Sequence, residues 1–153
     1  MDLILWRHAE AIDLELVGDD FMRSLTPRGE KQADRMAQWL DRQLPAGAKV
    51  LASPTVRTEQ TARALGRKFK TCGALGPLGT PQELLELVQW PQGKGCVLVV
   101  GHQPTLGQTI SQLLGLGAEE CSVKKGAVWW LRYREREIDG QTLVVTVQSP
   151  DLL

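Results

Sequence analysis

The run Cys96-Val97-Leu98-Val99-Val100 constrains the fold more than any other stretch of the chain. A continuous, largely β-branched apolar run has no polar face to offer water. It therefore reads as a strand covered on both sides, as in a parallel sheet flanked by helices. Leu3-Ile4-Leu5-Trp6 and Val50-Leu51-Ala52 read as two further short buried strands. Helices fit between them. Thr26-Pro27 is a cap followed by a first-turn proline, after which Ala33, Met36, Ala37, Leu40 and Leu44 recur at helical spacing until Pro45 and Gly47. Ser53-Pro54 repeats that opening, with Ala62, Leu65 and Phe69 expected to face inward. A short helix is predicted from Pro81 to Trp90, and an amphipathic one through Leu106, Ile110, Leu113 and Leu114, stopped by Gly115. The stretch around Gly18, Asp19 and Asp20 reads as loop, and residues 71–80 as loop with a short edge strand. The tail changes period: Ala127–Tyr133 and Leu143–Val147 alternate around Asp139-Gly140, a hairpin signal. The order is β-α-β-α-(α)-β-α-β-β. It implies an α/β fold: an open, mostly parallel sheet flanked by helices, with a late antiparallel hairpin.

A chain of 153 residues fits one domain, residues 1–153. At that size roughly 68–70% of the unfolded surface is buried on folding, enough for a core without staples. Eighteen basic and eighteen acidic residues cancel, which leaves no electrostatic footprint for nucleic acid or membrane surface. Cys72, Cys96 and Cys121 are odd in number and far apart, so neither a disulfide framework nor a zinc pattern is expected. Met1-Asp2 followed by only a short apolar run is no signal peptide, and no stretch approaches the ~20 apolar residues of a membrane span. These features read as a cytoplasmic protein.

The chemistry concentrates at strand ends. The chain has two histidines, and each follows a predicted central strand: Arg7-His8 after the first, Gly101-His102 after the long apolar run. Arg57 falls in the first turn of the helix after Val50-Leu51-Ala52. Open parallel sheets bind ligands beyond the carboxyl ends of their strands, so Arg7, His8, Arg57 and His102 are placed to meet. Taken singly, a histidine after a strand is usually a hydrogen-bonded turn residue. An arginine in a first helical turn is usually a surface ion-pair partner, here of Glu59 or Glu10. Together they make a set: two guanidiniums are good paired donors to phosphate oxygens, and a neutral imidazole is a competent nucleophile. Phosphoryl transfer asks mainly for positioning and charge neutralisation, and helix N-termini near Pro54 and Pro104 add a favourable field. Two histidines without clustered carboxylates make a poor metal site, so no metal and no cofactor are expected.

These residues resemble the histidine phosphatase superfamily, whose signature Arg-His pair stands here in Leu5-Trp6-Arg7-His8-Ala9-Glu10-Ala11. The chain is similar in particular to the small SixA-like phosphohistidine phosphatases. The likeness runs through Asp20-Phe21-Met22-Arg23-Ser24-Leu25-Thr26-Pro27-Arg28-Gly29, Ser53-Pro54-Thr55-Val56-Arg57-Thr58-Glu59-Gln60-Thr61-Ala62 and Val99-Val100-Gly101-His102-Gln103-Pro104. Ala9 stands where the superfamily usually has Gly, and Ser24 where this branch commonly has Pro. The resemblance implies a phosphoglycerate-mutase-like fold, with His8 as nucleophile and Arg7, Arg57 and His102 as phosphate pocket. Asp20 and Arg23 would border that pocket on the substrate side. Glu83 is the positional candidate for the carboxylate that protonates a leaving oxygen; equally, it suits a helix N-terminus. The short connections leave no room for the insertions that cap small-metabolite members. The expected substrate is therefore a phosphohistidine on a partner protein, such as a histidine phosphotransfer domain or a phosphotransferase-system carrier. The competing readings are a small-molecule phosphomonoesterase, a phosphoglycerate-mutase-like transfer enzyme, and a non-catalytic phosphate-binding module.

Overall fold

A computed structural model describes residues 1–153. Strands β1 (Asp2–Arg7), β2 (Lys49–Ala52), β3 (Lys70–Thr71), β4 (Cys96–Gly101), β5 (Val128–Arg134) and β6 (Gln141–Gln148) form one sheet in the order β3-β2-β4-β1-β5-β6. The run β3, β2, β4, β1 is parallel, whereas β5 pairs antiparallel with β1 and β6 antiparallel with β5. The helices are α1 (Leu14–Val17), α2 (Pro27–Gln43), α3 (Val56–Arg63), α4 (Pro81–Val88) and α5 (Thr105–Leu114). This is the mostly parallel α/β sheet with a late hairpin that the apolar pattern implies.

The apolar run from Cys96 to Val100 lies in β4, which is buried along its whole length. Its side chains alternate between two cores. Leu98 and Val100 pack with Met36, Leu40 and Ala62 under α2 and α3; Val97 and Val99 pack with Leu84, Leu106 and Ile110 under α4 and α5. The same alternation governs the two adjacent tryptophans. Trp130 lies in the first core, edge-on to Trp39 with ring centroids 6.5 Å apart, and its Nε1 donates to Asp2. Trp129 packs against the second core. Trp130 is buried and Trp129 half-buried, each against a different core.

Helix α2 starts where the cap-proline signal puts it: the Thr26 hydroxyl accepts from the Gly29 amide and Pro27 occupies the first turn. A Cβ at Gly29 would drive into the Glu10 carbonyl. Glycine there lets the helix lie directly on the backbone that follows His8. Helix α3 departs from expectation. Its cap is Thr55, which accepts from the Thr58 amide, and it runs only from Val56 to Arg63. Leu65 and Phe69 pack inward from beyond its end. Ser53 does not cap because it still extends the sheet, its amide donating to the Val100 carbonyl at 3.0 Å. The segment read as loop around Gly18 holds the short helix α1 and a 3-10 turn at Asp20–Met22, in which the Asp19 side chain accepts from the Phe21 amide. The three cysteines are free, and burial pushes the Cys96 thiol up to about 11. No helix is long and apolar enough to cross a membrane.

Candidate active site

The register of the central strands brings three loops to one level. Arg7 pairs with Gly101 across β1 and β4, and Ala52 with Val100 across β2 and β4. The chain therefore leaves the sheet at His8, Ser53 and His102 side by side, with the His8 amide on the Gly101 carbonyl at 3.1 Å. The imidazoles of His8 and His102 meet with ring centroids 5.4 Å apart. Arg57 reaches the same point from the first turn of α3, its Nη2 lying 3.3 Å from His102 Nδ1. His8, Arg57 and His102 are all buried.

Arg7 enters from β1. Its Nη1 donates to the Val123 carbonyl at 2.8 Å, and the backbone around it is held by Gly126 and Ala127. Asp20 and Arg23 lie in and just after the 3-10 turn. The Asp20 carboxylate bridges Arg57 Nη2 at 3.1 Å and Arg23 Nη1 at 3.1 Å, while its backbone carbonyl accepts from Arg57 Nη1 at 2.6 Å. Arg23 is anchored in turn by Nε on the Ile12 carbonyl. The partner of Arg57 is thus Asp20, and neither Glu59 nor Glu10; Glu10 instead meets Arg28 at 3.8 Å. Glu83 is not drawn into this cluster by any hydrogen bond. Its carboxylate closes a capping box, accepting from the Thr80 amide and hydroxyl at the exposed start of α4.

The hydrogen bonds fix the protonation of both rings. His8 Nδ1 lies 2.8 Å from the Ala9 carbonyl. A carbonyl only accepts, so Nδ1 carries the proton and Nε2 keeps its lone pair. Burial holds the His8 pKa down at about 3; the Ala9 bond opposes this, and His102, Arg57 and Arg7 add to it. Burial and the Arg57 charge likewise bring His102 to about 3, with Asp20 opposing. Both rings are neutral near pH 7. Burial also lowers the Arg7 and Arg57 guanidiniums from their ordinary value, countered at Arg7 by Glu120 and at Arg57 by Asp20. At Asp20 burial works against the charge, but hydrogen bonds from Arg23 and Arg57 outweigh it and hold the carboxyl below its usual range.

Donors exceed acceptors here. Neither Arg7 Nε nor Arg57 Nε, both buried, has a protein acceptor. A buried N–H without one costs about 1–3 kcal/mol. The Asp20 carboxylate bridges the Arg23 and Arg57 guanidiniums, and Arg7 adds a third cation to the same cluster of strand ends, a charge balance suited to an added dianion. No group of three or more His, Cys, Asp or Glu side chains converges as a metal cage would require. Ala9, in place of the usual glycine, has no positive φ, for Gln89 is the one non-glycine residue in that region. The Ala9 amide instead donates to the buried Thr61 hydroxyl.

Three contributors carry no sequence signal of their own kind. Ser53 reads locally as a helix cap, yet its hydroxyl lies 2.7 Å from His102 Nε2. Thr61 looks like an ordinary helical position. The Val123 carbonyl that fixes Arg7 belongs to the backbone, which has no residue signature.

Residues 3–77 match the histidine phosphatase superfamily (branch 1). The chain is 28% identical to a phosphohistidine phosphatase SixA homolog of Haemophilus influenzae, over 75% of this chain and 78% of that protein. It is 30% identical to an uncharacterized protein of Picosynechococcus, over 93% and 91% of the two chains. The solved structure of the protein histidine phosphatase SixA complexed with tungstate superposes with a TM-score of 0.81 at 25% identity, covering 99% of each chain. The chain belongs to the histidine phosphatase superfamily and is similar to its SixA members.

Proposed function

We propose that the protein hydrolyses phosphohistidine on a partner protein through a phosphorylated His8. The observation that carries this reading is the bond from His8 Nδ1–H to the Ala9 carbonyl, which leaves Nε2 as an unprotonated lone pair on a neutral ring. That is the form a nitrogen nucleophile needs. The Nε2 lone pair attacks phosphorus, the P–N bond of the substrate breaks, and the substrate imidazole leaves with a proton from water. Water then attacks the phosphorus on His8, returning the neutral ring and releasing inorganic phosphate. Arg7 and Arg57 hold the non-bridging oxygens as their charge shifts in the transition state, and His102 contacts the same group.

Asp20 has a second consequence. Its carboxylate sits on Arg57 and Arg23, the donors a phosphoryl group would use, so substrate competes with it. An imidazole leaves phosphorus more readily than an alkoxide does, which fits a site whose nearest positional acid, Glu83, is occupied in a helix cap. A protein substrate suits the surroundings. The segment that carries Asp20 and Arg23 also exposes Leu14, Leu16, Phe21 and Met22, an apolar lip bordering the cationic site. The names of the SixA relatives point the same way. Histidine phosphotransfer domains and phosphotransferase-system carriers are the partner classes with this chemistry.

The test is hydrolysis of a phosphohistidine protein against a phosphomonoester, with labelled phosphate trapped during turnover. The expected outcome is preference for the phosphohistidine protein and acid-labile label on His8, absent in His8→Ala. Efficient clearance of small esters with no activity on any phosphohistidine protein would overturn the substrate. Binding without label on His8 would make the protein a phosphate-binding module.

A further inference from the structure

Ser53 is fully buried and clamped at both ends of its backbone. Its amide donates to the Val100 carbonyl, and its carbonyl accepts from the Thr58 hydroxyl at 2.7 Å. Its hydroxyl has one partner, His102 Nε2, at 2.7 Å. The other ring nitrogen, Nδ1, faces Arg57 Nη2. A guanidinium has donors and no acceptor, so Nδ1 must present its lone pair and the ring proton must sit on Nε2. The serine oxygen is what receives it. His8 and His102 are therefore opposite tautomers, one held by a carbonyl and the other by a hydroxyl.

We propose that Ser53 is a positioning residue for His102: by accepting the Nε2 proton it aims Nδ1 at the phosphoryl pocket and supports the ring when Nδ1 takes up a proton to meet the phosphoryl oxygens. This rests on the reading of His102 as a phosphoryl contact. The ring is surrounded by Arg57 from α3, Arg7 and His8 at the end of β1, and Asp20 and Arg23 in and just after the 3-10 turn. The cations disfavour an imidazolium and only Asp20 favours it. A phosphoryl dianion reverses that balance. The proton taken from solvent then sits on Nδ1, between ring and anion, while Nε2–H stays on Ser53. Partners that fix the ring nitrogen opposite the working one are the usual device for orienting a functional histidine.

Two measurements test this, and the first is independent of turnover. Nitrogen-15 NMR of the unliganded protein at pH 7 should show His8 protonated at Nδ1 and His102 at Nε2, with His8→Gln assigning the pair; His102 protonated at Nδ1 overturns the proposal whatever the protein hydrolyses. The second compares wild type with Ser53→Ala and Ser53→Cys, the latter keeping volume with a weak acceptor. Ser53→Ala should lower both inorganic-phosphate affinity and kcat/KM by about tenfold, the lower end of the loss seen when a metal-ligating histidine is deprived of its orienting partner. It should also move the proton uptake that accompanies phosphate binding to lower pH, with Ser53→Cys intermediate. An unmoved pH profile, or a loss that merely tracks the unfolded fraction in thermal melts, makes Ser53 structural. Phosphate binding responds to Ser53 even if no phosphohistidine protein is turned over, so the two readings fail separately.

Discussion

The parallel and antiparallel halves of the sheet divide the labour. Strands β2, β4 and β1 run the same way, so the segments that follow them leave at one edge, and Ser53, His102, Arg7 and His8 come together without any loop having to travel. The hairpin of β5 and β6 places no side chain in the site. Its part is to cover β1 and close the core with Val128, Trp130 and Leu131. It reaches the chemistry only through the backbone just before it, where the Val123 carbonyl holds Arg7. Parallel strands concentrate function because their ends share a direction; an antiparallel pair sends successive ends to opposite edges and serves better as cover.

That division breaks or stands by mutation. Trp130→Ala removes a buried indole, its edge contact with Trp39 and its bond to Asp2, and should cost about 3–5 kcal/mol of stability. Read by denaturant unfolding, this is the largest effect expected in the hairpin. The kcat/KM of the folded protein should stay within about twofold, as for distant independent sites; a tenfold loss would show the halves to be coupled. Arg57→Ala is the converse. Loss of a charge-stabilising donor should lower kcat/KM by about 10²–10³-fold while the chain still melts cooperatively. Steady-state kinetics on a phosphohistidine protein measure it, and a change confined to melting would make Arg57 a structural ion-pair partner of Asp20.

The pH dependence of stability sharpens the same contrast, since the hairpin carries no histidine. His8 and His102 titrate near 6.5 in the unfolded chain but at about 3 when folded. Between those values the unfolded state binds protons that the native state does not. Their contribution is therefore intact above about pH 6.5 and is lost progressively as pH falls toward 3, by at most about 1.4 kcal/mol per histidine per pH unit. Asp20, held below its usual range, adds a loss of the same sign only at more acidic pH. Unfolding free energies from pH 7 to 4 should show this slope, and His102→Gln should flatten it. An unchanged slope would place the sensitivity elsewhere.

How far these features were legible in the sequence follows from how local each one is. The run at 96–100 announces a strand buried on both faces because nothing in it tolerates water, and Thr26-Pro27 announces a helix because cap and proline act within one turn. The histidines stood out by following such strands. Ser53 was obscured by a stronger local pattern: before a proline it looks like a cap, whereas sheet pairing holds it one step back and Thr55 caps instead. The pairing of Asp20 with Arg57 spans 37 residues and depends on how a 3-10 turn folds back, which no period or spacing encodes. Arg7 meets a carbonyl 116 positions away, and carbonyls are the same at every residue.

Glu83 tests the smallest of these differences, between a carboxylate near the functional edge and one that only shapes a helix. Its Oε1 accepts from both the Thr80 amide and the Thr80 hydroxyl, so the side chain is engaged in the first turn of α4. Glutamine can close the same box by reaching back to the amide. Glu83→Gln should therefore leave phosphohistidine turnover within about twofold and shift stability by less than about 0.5 kcal/mol, the range of neutral surface changes. Glu83→Ala, which opens the box while Thr80 still caps the Glu83 amide, should cost about 0.5–1.5 kcal/mol with turnover again preserved. A phosphomonoester provides the contrast, because its alkoxide needs a proton to leave and a histidine much less so. If Glu83→Gln slows ester and phosphohistidine hydrolysis equally, the carboxylate takes part in the reaction and the leaving-group argument fails; if it slows only the ester, Glu83 is an acid that the protein substrate does not require.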